Sequence, residues 1–103
     1  MTVLVHPDFP KDIRRFEMQY ARISLGLAAR FRAEIDQALE DIKHSPRRTG
    51  HLLNSTSPLV KDLRRRNLRA FPFFVLYGIV EDRLIIASVI PSRSDPLTWL
   101  TRF

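Results

Sequence analysis

Hydrophobic residues recur along this chain with two different periods. In the first half, apolar residues return every three or four positions, with charged residues between them, which is typical of amphipathic helices. The first stripe predicts a helix from about residue 9 to 23, and its members are Ile13, Phe16, Tyr20 and Ile23. A second stripe, from Leu27 to Ile42, predicts a helix over 25–43 that ends before Ser45-Pro46.

The other apolar segments have the character of strands. The β-branched run over 2–6 predicts one short strand at the start. Residues 71–80 and 84–90 are strongly apolar, and only Glu81-Asp82 and the residue after them separate these two runs, so we expect a hairpin, although no glycine marks its turn.

Between the helices and this hairpin lie a loop and a basic segment. Residues 45–58 contain Pro, Gly, Ser, Thr and Asn and predict a loop, and residues 59–68 predict an extended basic strand. The order is therefore β-α-α-β-β-β. It favours an α+β fold in which an N-terminal helical hairpin packs on one face of a mostly antiparallel sheet, with residues 1–103 as a single domain.

Both faces of the strand over 71–80 are apolar, whereas a strand of a sheet with one face in water should alternate apolar and polar residues. Two helices can cover only one face, so the other is left with Phe74, Leu76 and Ile85. Either the tail around Trp99 folds over these residues or another chain does. We favour another chain, because exposed apolar patches of this kind mark interaction sites.

Composition restricts the class of protein. The chain has 103 residues, 45% of them hydrophobic, and no cysteine, which excludes disulfides, thiol nucleophiles and zinc–thiolate sites. No apolar run approaches the ~18 residues of a membrane span. Because the first residues lack a basic and then apolar signal pattern, we expect a cytoplasmic protein that does not contact a membrane.

The positive charge is concentrated in the second half. Residues 1–44 carry seven basic and seven acidic groups, so the net charge of +6 comes entirely from residues 45–103. The densest part is the segment 61–69, and Arg93 adds to it; the basic residues predicted to form a surface for an anionic target or partner are Lys61, Arg64, Arg65, Arg66, Arg69 and Arg93. The alternative is an edge strand that charge protects from aggregation.

Catalytic and cofactor motifs are lacking in the sequence. The three histidines, His6, His44 and His51, do not have the spacing of metal ligands, and we interpret them as surface or capping residues. With only three glycines and no phosphate-binding loop, we expect no cofactor and no metal.

Several segments resemble the ParE/RelE superfamily of toxin–antitoxin toxins, and most closely its ParE-like, plasmid stabilisation branch. The resemblance spans nearly the whole chain and depends on order and spacing. Its first half comprises His6-Pro7-Asp8, Tyr20, the turn over 24–28, Phe31, Ile42 and Pro46. Its second half comprises the segments 69–77, 85–87 and 93–99.

The resemblance implies a toxin that a cognate antitoxin, ParD-like or similar, neutralises by wrapping around it, in a hetero-oligomer. One branch of the superfamily poisons DNA gyrase by binding, and another cleaves mRNA on the ribosome. The ribonuclease branch has an Arg where Phe74 stands and a C-terminal Tyr where Trp99 stands, although its later Arg is kept as Arg93. An indole N–H donates and cannot act as a general base, so we expect no catalytic residues.

The ParE-like branch is also matched with departures, since its His-Gly-Arg-Arg-Asp-Pro pattern is here the segment 91–96. The leading hypothesis is a toxin that inhibits DNA gyrase through the basic surface. Apolar residues are expected to anchor the antitoxin, and they are Phe74, Leu76, Trp99 and Phe103. The alternatives are a RelE-like ribosome-dependent endoribonuclease and an attenuated, non-toxic relative.

Overall fold

A computed structural model describes residues 1–53 and 60–103 of the chain. These residues form, in order, β1 (Thr2–Val5), α1 (Phe9–Ala21), α2 (Leu25–His44), α3 (Pro46–Thr49), β2 (His51–Leu53), β3 (Asp62–Asn67), β4 (Phe73–Val80) and β5 (Arg83–Pro91), and the chain closes with a 3₁₀ helix over Pro96–Arg102. The predicted loop over 45–58 contains α3 and β2 in its described part. Residues 54–59, which complete that loop and begin the predicted basic strand, lie outside the described residues.

The helical hairpin forms largely as the apolar stripes predict. Ser24 caps α2, because its Oγ accepts a hydrogen bond from the Leu27 N–H at 3.3 Å. The start of α1 has no such cap. Asp8 makes no side-chain cap; instead His6 Nδ1 accepts the Asp8 N–H at 3.1 Å. Ile23, assigned to the first stripe, lies beyond the end of α1 and is exposed, so that assignment is wrong.

The five strands form one sheet in the order β1-β5-β4-β3-β2. All neighbours are antiparallel except β1 and β5, which run parallel, so the prediction of a mostly antiparallel sheet is confirmed. The helices pack on one face, where Phe31 and Ile35 of α2 meet Phe73 and Tyr77 of β4 in the main core.

A bulge in β5 changes which residues face the helices. Tyr77 pairs with Ile86 but Leu76 pairs with Ser88, so Ala87 is an extra residue on β5. As a result Ile86 and Val89 both face the helix side, while Ala87 joins the core on the opposite face. The bulge therefore reverses the alternation part way along a strand.

The face of the sheet opposite the helices is covered by this chain itself. Phe74 and Leu76 are completely buried there, and they pack with Trp99, Leu100 and Phe103 of the closing segment, residues 96–103. The expectation that another chain covers this face is wrong. The alternative, a tail that folds over the sheet, is the one observed, because the closing segment provides enough aromatic surface to bury the second apolar face.

The hairpin of β4 and β5 turns at the two residues that the sequence indicates. Glu81 and Asp82 have φ of 49° and 62°, the left-handed conformations that two-residue hairpin turns require. Glu81 is therefore held in a conformation that its side chain disfavours, whereas aspartate tolerates this conformation better.

Candidate basic and aromatic surface

The arginines of β3 do not form one continuous basic surface. Side chains alternate between the two faces of a strand, and β3 is only six residues long. Arg64 and Arg66 lie on the side of the helices, whereas Arg65 lies on the opposite side over the Phe74 ring.

Arg64 is occupied by contacts within the protein. Its Nε donates to Asp62 Oδ1 at 2.6 Å, and its Nη1 donates to the carbonyl oxygens of Arg47 at 2.8 Å and Gly50 at 3.3 Å. With the Arg64 side chain only 15% exposed, these bonds tie β3 to the α3–β2 connection. Its guanidinium is thus largely used in holding the fold together.

Arg66 is similarly engaged with α2. Its Nη2 donates to Asp41 Oδ2 at 2.9 Å, and its side chain is 13% exposed. The hydrogen bond from Arg66, followed by one from Gln37, lowers the pKa of Asp41 below its ordinary value. Asp41 therefore stays ionised and fixes the position of the Arg66 guanidinium.

The other predicted basic residues keep accessible charge in different places. Arg65 stacks on the Phe74 ring with its guanidinium carbon 3.9 Å from the ring centre, and it is partly exposed. Arg69 and Arg93 are exposed and lie at the same end of the sheet, since they follow β3 and β5 where β4 begins. Lys61 is exposed beside the first residue of β3, at the opposite end.

The four apolar residues predicted to anchor a partner form one cluster, but at different depths. Phe74 and Leu76 are fully buried, whereas Trp99 and Phe103 are partly exposed. Gly78 lets the closing segment pack closely on the sheet, because a Cβ at this position would lie 2.8 Å from Phe103 Cε1. In this conformation a partner can contact Trp99 and Phe103, and it reaches Phe74 and Leu76 only after the closing segment moves away.

A buried polar group that the sequence patterns did not predict holds the closing segment. Asp12 Oδ2 accepts hydrogen bonds from Ser88 Oγ at 2.7 Å and from Arg102 Nη1 at 2.6 Å. Arg102 Nη1 also donates to the Ala87 carbonyl, at the bulge, at 2.9 Å. The one signal in the sequence is that Asp12 lies one turn before Phe16, on the buried stripe of α1.

The positions relevant to RNA cleavage carry no general base. Phe74 is buried beneath Arg65, and the Trp99 indole lies under the Arg102 guanidinium, whose carbon is 4.6 Å from the ring centre.

Within residues 1–53 and 60–103, no group of three or more His, Asp or Glu side chains is placed to hold a metal ion. None of the helices in those ranges has the length and apolar character needed to cross a membrane.

Similarity to known proteins lies in the structure of this chain and not in its sequence. No protein-family model matches the sequence, and no curated protein matches it either. Its structure is similar to a chain of a solved structure described as the chromosomal ParDE TA system from P. aeruginosa, with a TM-score of 0.67 and 15% identity, over 88% of this chain and 95% of that one. The ParE/RelE-like α+β fold that the sequence resemblance implied is therefore confirmed.

Proposed function

We propose that this protein is the toxin of a type II toxin–antitoxin system, which acts in the cytoplasm by binding its target, DNA gyrase. A cognate ParD-like antitoxin neutralises it in a hetero-oligomer. The observation that carries the proposal is the shared fold with a chain of a ParDE system over 88% of the present chain. The excess of positive charge in the second half of the sequence supports an anionic target or partner.

The accessible guanidinium groups that serve this role are those of Arg65, Arg69 and Arg93. Arg69 and Arg93 lie at one end of the sheet, and Arg65 lies on the face that the closing segment covers. Arg64 and Arg66 contribute charge but mainly hold β3 against the helical side. Lys61, at the other end of β3, makes a separate contact.

Apolar anchoring of the antitoxin falls to the partly exposed members of the aromatic cluster. Trp99 and Phe103 pack against the cluster that contains Phe74 and Leu76, and Arg65 stacks on the Phe74 ring of the same cluster. Aromatic and arginine side chains dominate binding energy at protein interfaces because they combine a large contact area with directed donors. The same surface can thus bind an acidic segment with apolar residues.

Binding, and not hydrolysis, is favoured as the mode of action. The Trp99 indole can donate a hydrogen bond but cannot accept the proton of an RNA 2′-hydroxyl. An arginine side chain has no basic nitrogen to offer, so Arg102, which stacks on the Trp99 ring, cannot replace a general base. A toxin built in this way acts by occupying a surface of its target.

The test is induction of the protein alone in bacterial cells, with one triple variant and a matched control. Arg65, Arg69 and Arg93 are changed to Ala in the variant, and the exposed Arg22, Arg30 and Arg83 are changed in the control, so both lose three charges. We expect filamentation, DNA-damage signalling and inhibited supercoiling by purified gyrase with the wild type and the control, and their loss with the variant.

Other outcomes contradict this function. Rapid loss of translation with cut mRNA would indicate the RelE-like endoribonuclease, and normal growth on induction would indicate an attenuated relative. A short upstream reading frame that encodes a DNA-binding head and an acidic amphipathic tail would supply the antitoxin. Coexpression of its product should restore growth and copurify with the toxin.

A further inference from the structure

A polar cleft of about 420 Å³ opens where the end of α2, α3, the start of β2 and the end of β3 meet. It lies on the helical side of the sheet, because Arg66 in its wall is bonded to Asp41 of α2. The side chains that define its chemistry are Asp41, His44, His51, Arg66 and Arg69. Two histidines that are seven residues apart in sequence, with no metal-ligand spacing, thus face a common space with two arginines.

The acidic group of this cleft is already satisfied. Asp41 Oδ1 accepts a hydrogen bond from Gln37 Nε2 at 2.9 Å, and Oδ2 accepts one from Arg66. The Asp41 carbonyl, near the end of α2, accepts the Ser45 N–H at 3.0 Å and Thr49 Oγ1 at 2.8 Å. The repulsion that this carboxylate and helix end would exert on an anion is therefore reduced by their own donors.

Three other side chains that line the cleft can donate hydrogen bonds to an anion. The Arg69 guanidinium is exposed and always charged, and the exposed His44 and His51 rings each carry an N–H. Arginine and histidine N–H groups around one opening are donors that phosphate oxygens accept from in proteins.

We propose that this cleft is a phosphate-binding site, in which Arg69, His44 and His51 hold the oxygens of a phosphate group and Arg66 supplies fixed positive charge behind them. The phosphate belongs either to a free nucleotide or to a single-stranded nucleic acid. The site shares Arg69 with the proposed toxin surface, but it does not require the protein to be a toxin, because it is tested by phosphate binding.

The three histidines make the test self-controlled. His6 lies at the start of α1 and bonds to the Asp8 N–H, away from the cleft. The full chain is titrated with inorganic phosphate, and sodium chloride of equal ionic strength is the control. In proton NMR spectra we expect the chemical shifts of the His44 and His51 ring protons to change and to reach saturation. The His6 signals should stay in place. Arg69→Gln should weaken the apparent affinity at least tenfold, whereas Arg83→Gln, an exposed charge on the β4–β5 turn, should leave it unchanged.

Two further arms identify the source of the phosphate and complete the test. Adenosine diphosphate and an eight-nucleotide single-stranded RNA are titrated by calorimetry into the wild type and into His44→Gln/His51→Gln. If the wild type binds either probe and the double variant does not, the site is supported. The probe that binds more tightly then identifies the source of the phosphate. Equal movement of all three histidines, absence of saturation, or unchanged binding by the double variant would overturn it, whatever the growth assay shows.

Discussion

Arg102 forms a buried ion pair with Asp12, ninety residues earlier in the chain, with 2.6 Å between Arg102 Nη1 and Asp12 Oδ2. The Asp12 side chain is 7% exposed and that of Arg102 is 14% exposed, so both charges are largely withdrawn from water. The pair joins the closing 3₁₀ helix to α1 beside the bulge of β5. It thereby holds the aromatic cover over Phe74 and Leu76.

Replacing Arg102 with Ala should lower the free energy of unfolding by about 3 kcal/mol, because Asp12 would remain buried without its cation. The measurement is urea denaturation at pH 7. Asp12→Ala/Arg102→Ala should lose less than the sum of the two single variants, since the coupling between them is removed. Arg83→Ala, which breaks an exposed pair with Glu81, should change stability by less than about 0.5 kcal/mol. Similar losses in Arg102→Ala and Arg83→Ala would contradict a structural role for the buried pair.

Gly78→Ala should displace the aromatic cover. The added methyl group would lie 2.8 Å from Phe103 Cε1 and 3.0 Å from Val60 Cγ1, so Phe103 must move. We expect a loss of about 1–3 kcal/mol and a red shift in the fluorescence of Trp99, the single tryptophan. Gly26→Ala is the control, since its nearest neighbour would be 3.6 Å away in the first turn of α2. Unchanged Trp99 emission in Gly78→Ala would show that the Phe103 ring does not pack against Gly78 in solution.

Relaxing the β4–β5 turn should stabilise the protein. Glu81 and Asp82 both have positive φ, which Asn-Gly adopts more readily. Glu81→Asn/Asp82→Gly should raise the free energy of unfolding by about 1 kcal/mol, measured by thermal and urea denaturation. Asn-Gly placed at the exposed residues Arg22 and Ile23, where no positive φ is present, should give no gain.

The Asp41–Arg66 pair should make stability depend on pH at the acidic end. Because the folded pKa of Asp41 lies below its unfolded value, its contribution is complete above about pH 4 and is lost as the pH falls through the folded pKa. The wild type should therefore be more stable than Asp41→Asn at pH 7, and the difference should shrink toward pH 3. A difference that grows on acidification would mean that the carboxylate is not held by Arg66.

Local sequence patterns were sufficient to predict the elements and the class of fold, because both depend on interactions between residues that are close along the chain. The helical period of Ile13 and Phe16 and the second stripe from Leu27 to Ile42 identify a helical hairpin, and two apolar runs around Glu81-Asp82 identify the β4–β5 hairpin. The apolar character of both faces of β4 also showed correctly that both must be covered.

The identity of the cover on the second face, and the set of arginines that remain accessible, emerge only from the folded arrangement. The cover depends on Arg102 finding Asp12 across the fold, a pairing for which neighbouring residues carry no signal beyond one acid on a buried stripe. Strand alternation separates Arg65 from Arg64 and Arg66, but the direction in which each points depends on the side on which α2 and α3 pack. The cleft of His44 and His51 likewise exists only because the end of α2 and the end of β3 meet. Contacts between such distant segments are set by packing and not by local sequence.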